Sequence, residues 1–226
     1  MSIQSIQTYF DEHFRTFAKP VSEISKSHNS AEPRVNSDIV MYNFDGISAA
    51  ISPKPGFRSA DALRFRRKRI ELIEFKNGFS RMITKENWDP KQCLCPNDEQ
   101  TECIPYKDKF LRIAELELHE LRDSIKYKAL ESYVTLDKLI LPLFSLGAHI
   151  AIDYIVVIDG NSNDQYESIL ADAAQKHNLK SNQIASLKSS LSRFVGCKDA
   201  NGSPYYYDCI YVYTFQEYQR MLDKEK

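Results

Sequence analysis

The chain has 226 residues, 42% of them hydrophobic and 27% charged, enough for one large domain or two small ones with a filled core and an ordinary polar surface. A formal net charge of -1 excludes a global basic field of the kind that draws in nucleic acid, and leaves that role to a local patch if one exists. The first residues carry no basic segment followed by a long apolar run, so no signal peptide is expected, and the apolar stretches near Leu139–Phe144 and Ile150–Ile158 are too short to cross a bilayer and are broken by Pro142 and Asp153. Five cysteines in no regular framework point to a reducing, cytoplasmic compartment.

Taken in order, residues 1–18 show a stripe at three- and four-residue steps (Ile3, Ile6, Tyr9 or Phe10, His13 or Phe14, Phe17), the period of an amphipathic helix that Pro20 stops. Glu12 falls near the edge of that stripe, where a solvated carboxylate is the simpler reading. Residues 21–36 are polar and punctuated by Pro33, a loop or a short helix with a loop. Asp38–Asn43 reads as a first strand, with Ile47–Ile51 as its continuation past a turn at Asp45 and Gly46, and Pro53–Gly56 as a firm break. Ala60–Arg66 and Ile70–Lys76 read as a second and third strand, joined by the short basic link Arg66–Arg69 as a hairpin. Residues 79–107 form a long irregular insert with three prolines and Cys93, Cys95 and Cys103. Asp108–Leu139 is the clearest helix, its stripe running from Leu111 to Leu139 and interrupted by Lys128, which needs a partner there. A buried strand over His149–Asp159, helices over Gln165–His177 and Asn182–Phe194, a tyrosine-rich strand over Tyr205–Thr214 and a terminal helix over Phe215–Lys226 complete the chain.

The third strand carries the chemistry. Glu74 and Lys76 stand two apart, hence on one face of a strand whose other content is apolar. Charges placed there are costly unless they pair with each other, a metal or a substrate. Asp61 stands at hairpin distance before Glu74. Two carboxylates at the centre of a fold suit Mg²⁺ or Mn²⁺, and a lysine beside them suits a developing negative charge or an attacking water. By itself Glu-x-Lys is a weak signal, and the bland alternative is an exposed surface pair worth little.

The order αβββαβ, with Asp61 opening the second strand and Glu74-Phe75-Lys76 on the third, resembles the PD-(D/E)XK nuclease superfamily, the restriction-endonuclease-like fold. Lys128 matches a helix position where several members hold an additional Lys or Gln, and Ala60 stands where the family often has Pro. The resemblance implies one α/β domain over 1–226, with a mixed central sheet flanked by helices as a core over about 1–160 and an α-α-β-α extension over 161–226. It further implies a Mg²⁺- or Mn²⁺-dependent nuclease, acting on DNA before RNA, in which Asp61, Glu74, Lys76 and Lys128 are catalytic. Asp61, Glu74, the Phe75 carbonyl and Glu12 (with Glu23 or Asp45 in reserve) would bind the metal, and Arg64, Arg66, Arg69 and Lys128 would contact phosphates. A homodimer or a larger complex is open. The alternative is a nuclease-fold module that binds nucleic acid or protein without hydrolysis, a reading the near-neutral charge favours.

Other candidates have plainer readings. Cys93, Cys95 and Cys103 would need a fourth ligand such as His119 to hold zinc; the Cys-x-Cys spacing is not that of a finger, and free thiols are the favoured reading. The tyrosines between Tyr205 and Tyr213 suit base stacking less than strand packing, and His149 and His177 are assigned no role.

Overall fold

The computed structural model describes residues 3–26, 32–52, 58–79, 107–144, 149–159 and 184–225, without the side chains of residues 107, 108 and 110. Among the described residues six strands form one sheet in sequence order: β1 (Ala18–Pro20), β2 (Val40–Asn43), β3 (Ala62–Arg66), β4 (Arg69–Lys76), β5 (Ala151–Ile158) and β6 (Cys209–Thr214). The pairings from β1 to β4 are antiparallel. Those of β4 with β5 and of β5 with β6 are parallel, as the intervening helical crossovers require. The sheet is mixed and has helices on both faces.

Alternation along the strands divides the interior into two layers. Ile70 and Leu72 of β4, Leu63 of β3 and Tyr154 and Val156 of β5 point to one face, covered by helices α1 (Ile3–His13), α3 (Phe44–Ile51), α4 (Lys107–Val134) and α5 (184–194). Ala62, Ile73, Phe75, Ile155 and Val157 point to the other, against Val21 of the one-turn α2 (Val21–Ile24) and Tyr218 and Leu222 of α6 (Phe215–Asp223). β4 is buried at every residue from Ile70 to Phe75, the signature of a central strand closed on both faces. No helix among the described residues is long and apolar enough to cross a membrane.

The hairpin foreseen between the second and third strands is present, pairing Arg66 with Arg69 across a two-residue turn in which Arg67 takes φ 55. The long helix runs from Lys107 to Val134, continues as a π-helical segment over Thr135–Ile140, and ends in a short 3-10 turn containing Pro142. Two expectations need correction. Ile47–Ile51 is helical, because Asn43 caps α3 by accepting the Gly46 N–H at 3.0 Å, and Asp45 lies in its first turn. The helix read over residues 1–18 ends at His13 and passes through a 3-10 turn at Arg15–Phe17 into the strand Ala18–Pro20, where proline is tolerated because β1 is the sheet edge. The tyrosine-rich strand is shorter than expected, starting at Cys209. The cysteine insert, with Cys93, Cys95 and Cys103, and the helix expected over Gln165–His177 lie outside the described residues.

Candidate active site

The site is built from the end of β4, the residue entering β3 and one turn of α4. Asp61 precedes β3, and its backbone carbonyl accepts the Phe44 N–H at 3.1 Å, tying it to the start of α3. Its carboxylate is held across the hairpin, where Oδ2 accepts the Phe75 N–H at 2.7 Å. Glu74 reaches the same side from β4, since residues 70, 72, 74 and 76 share a face, and it is fully buried. Lys128 descends from α4 and closes the group: its ammonium donates to Glu74 Oε2 at 2.9 Å and to Asp61 Oδ1 at 3.2 Å. Two carboxylates thus converge on one point, and a single ammonium occupies it.

Ser132, one turn beyond Lys128 on α4, fixes this approach. Its hydroxyl donates to the Lys128 carbonyl at 2.5 Å and accepts the Ala60 N–H at 2.7 Å, so helix and strand entry share one side chain. Below the cluster, Asp159 at the end of β5 accepts the N–H groups of Gly78 and Phe79 at 3.1 and 2.9 Å. Gly78 takes φ +110, a conformation that favours glycine, and the chain turns away there.

A cleft of about 580 Å³ opens over these groups. Its walls include five cations, Lys19, Lys26, Arg34, Lys76 and Lys128, and four carboxylates, Glu23, Asp45, Asp61 and Glu74. Arg34 comes from the segment before β2 and donates to the Phe75 carbonyl at 2.7 Å. Asp45 accepts the Ser59 hydroxyl at 2.8 Å.

Burial sets the electrostatics. Desolvation, reinforced by the neighbouring Asp61, pushes the Glu74 carboxyl up to about 8 in spite of Lys128 and Lys76. Lys76 moves down from its usual value, first through burial, with Lys128 and Arg34 adding to the effect and Glu74 and Asp61 opposing it. Lys128 rises: burial works against its charge, but Glu74 and Asp61 outweigh that. Two titratable groups two residues apart are displaced toward each other, which is how a site keeps both a proton donor and a proton acceptor near neutral pH.

Asp61 and Glu74 are a hard-oxygen pair of the kind that holds Mg²⁺ or Mn²⁺ when water and substrate phosphate supply the remaining positions. Glu74 Oε1 is buried without a hydrogen-bond partner, an acceptor that a cation would satisfy. Among the described residues no group of three His, Cys, Asp or Glu side chains is placed to share a metal. The Phe75 carbonyl already accepts from Arg34, and Glu12 is exposed on α1, outside the lining of the cleft. A metal here would therefore rest on Asp61 and Glu74, with Lys128 giving way.

Asp61, Glu74, Lys76 and Lys128 are thus brought together, while the basic run is not. Arg64 and Arg66 lie on the opposite face of β3 from Asp61. Arg64 is buried against Glu71 (2.5 Å) and Glu225 (2.8 Å), Arg66 pairs with Glu225 at 2.6 Å, and Arg69 pairs with Asp153 at 2.8 Å. The strand period that aims Glu74 into the cleft aims these arginines into the other layer. Arg34 and Ser132 carried no sequence signal for a site: Arg34 stands in a polar loop, and Ser132 reads as one more position of the helix's continuous stripe. Compared with known proteins, the chain matches no family model, no curated protein and no solved structure.

Proposed function

We propose that the chain is a divalent-metal-dependent nuclease that hydrolyses phosphodiester bonds, DNA before RNA. The observation that supports this most is the meeting of Asp61 and Glu74, from two strands, at one point beside Lys76 in an open cleft. With β1, α2 and α3 taken as additions, the succession α1, β2, β3, β4, α4, β5, with Asp61 at the entry to β3 and Glu74 on β4, is compatible with the restriction-endonuclease-like core.

Asp61 and Glu74 would hold Mg²⁺ or Mn²⁺, which when bound polarises the phosphate and lowers the pKa of a coordinated water. The chain's own groups do the rest. Lys76, at the cleft end of β4 and with its basicity lowered by burial, is suited to orienting the attacking water. Lys128, released from the carboxylates, and Arg34 line the same cleft and are suited to offset the extra negative charge that develops on the phosphate. Water attacks phosphorus as the bond to the leaving sugar oxygen breaks; one proton of the water reaches that oxygen by way of solvent, giving a free hydroxyl, and the other stays on the phosphomonoester or is released to solvent.

A second reading is a module that binds without cleaving. The observation favouring it is that Lys128 already neutralises the carboxylate pair. Calorimetry with Mn²⁺ on the wild type and on Glu74→Ala, followed by cleavage assays with Mg²⁺, separates the two. The nuclease reading expects binding and cleavage that both vanish in Glu74→Ala. Nucleic-acid binding indifferent to metal and to Glu74→Ala would favour the module.

A further inference from the structure

We infer that a second groove, between α4 and α5, is a phosphate-binding track for a nucleic-acid strand. The inference rests on the nuclease reading for its ligand class, and its evidence lies elsewhere on the molecule. The groove has a volume of about 450 Å³. One wall is the polar flank of α4, Arg122 and Lys126, four residues apart and hence neighbours on the helix surface. The other wall is α5, which buries Leu187 and Leu191 in the core and turns Ser186, Ser189, Ser190 and Arg193 toward the groove.

Among the described residues no carboxylate lines it. Lys126 keeps Asp123 at 2.9 Å, on its exposed side. Arg122 and Arg193 have no ion-pair or hydrogen-bond partner among the described residues, and the Nε of Arg122 is buried and unsatisfied. A guanidinium partly withdrawn from water without an anion bears a desolvation cost that a phosphate would offset. Three serine hydroxyls beside it are donors without competing charge. At the rim, Phe194 and Tyr127 meet edge to face with ring centroids 6.4 Å apart, and they remain 40% and 52% exposed. Cations with adjacent exposed rings are the two components of single-strand recognition, one for the backbone and one for a base.

Arg122 lies six residues before Lys128 on the same helix, about 9 Å along its axis at roughly 1.5 Å per residue and about 120° around it at roughly 100° per residue. The groove is therefore on a different face of α4 from the cleft, and a strand engaging both would have to wrap the helix. The local patch also reconciles a net charge of -1 with an anionic ligand.

The test is fluorescence anisotropy of a labelled single-stranded DNA oligonucleotide in EDTA, across a salt series, with the full chain and with Arg122→Ala/Arg193→Ala. Lys188→Ala, a lysine on α5 outside the groove, is the control for general charge loss. The double variant should bind about tenfold more weakly, and its salt slope should fall by about 1.4, at roughly 0.7 per lost single-strand contact; Lys188→Ala should change little. If the double variant does not fold, Arg193→Glu, at an exposed position, reads the same contact. Affinity and slope equal to wild type overturn the inference. So does a wild type that ignores the oligonucleotide, or that takes a phosphopeptide in its place. Binding lost in the double variant, with no cleavage by the wild type in Mg²⁺ or Mn²⁺, would leave the groove standing and remove the nuclease reading.

Discussion

Glu74 is the residue on which the site's energetics turn. Its carboxyl titrates at about 8 in the folded chain against an ordinary 4.5, because burial penalises the ionised form. A carboxyl raised in this way binds its proton more tightly folded than unfolded. Its contribution is therefore complete below about 4.5 and is lost as pH rises toward 8. Glu74→Gln cannot ionise, so its unfolding free energy should fall less than that of the wild type between pH 5 and 9, by on the order of 2 kcal/mol in urea titrations. Equal pH profiles would show that the carboxylate is already solvated or paired in full. Lys128 is the complementary case. Lys128→Met removes the shared donor of two carboxylates, one of them wholly buried, and should cost about 3 kcal/mol. The cost should be largest near pH 9, where Glu74 is ionised, and shrink as pH falls below about 8, where Glu74 takes up a proton and the repulsion with Asp61 fades. Both residues could be read from the chain alone, because each is a charge set into an otherwise apolar pattern. Arg34 could not, since it reaches the Phe75 carbonyl across 41 positions from a loop whose composition announces nothing.

At the scale of elements, sequence reading succeeded where periodicity was long and failed where a cap outvoted composition. The β3–β4 hairpin follows from two short apolar runs joined by a brief basic link and α4 from a sustained stripe, and tertiary packing agrees with both. α3 was hidden because Ile47 and Ile51 suit a strand as well as a helix; Asn43 decides the matter by satisfying an N–H that a strand would have paired elsewhere. Its replacement should therefore be felt: Asn43→Ala should lower stability by about 1 kcal/mol, measured by chemical denaturation. Thr214→Ala is the comparison at α6, where Thr214 and Glu217 form a reciprocal capping box with bonds of 3.2 and 2.8 Å. A similar cost of about 1 kcal/mol is expected there. The two should differ in consequence. Asn43 borders the cleft and caps the helix that Asp61 anchors, so its loss should also weaken the Mn²⁺ binding that the proposed function expects, whereas Thr214 caps α6, which packs on the opposite layer.

For the molecule as a whole, the sheet separates two ionic systems that the sequence places side by side. Arg64, Arg66 and Arg69 adjoin Glu74 in the chain, and a dense basic run next to a carboxylate pair invites one shared role. The sheet's period divides them: Glu74 enters the cleft under α4, while Arg64 and Glu71 face α6 and are joined there by Glu225. Charge density along a sequence carries no information about which face receives it; the strand register does. The two roles for Arg64 make opposite predictions. A phosphate contact, once removed, would weaken oligonucleotide binding and leave folding untouched. A buried clamp between β3 and the end of α6 would do the reverse. Arg64 is only 6% exposed, and its loss strands Glu71 in a dry layer with Arg66 at 3.6 Å as its nearest remaining cation. Arg64→Met should therefore lower the unfolding free energy by about 3 kcal/mol. The folded fraction should bind an oligonucleotide as the wild type does, measured below the denaturation midpoint by anisotropy. Weakened binding without destabilisation would return the basic run to the nucleic-acid surface and place the strand on the α6 face, away from Glu74.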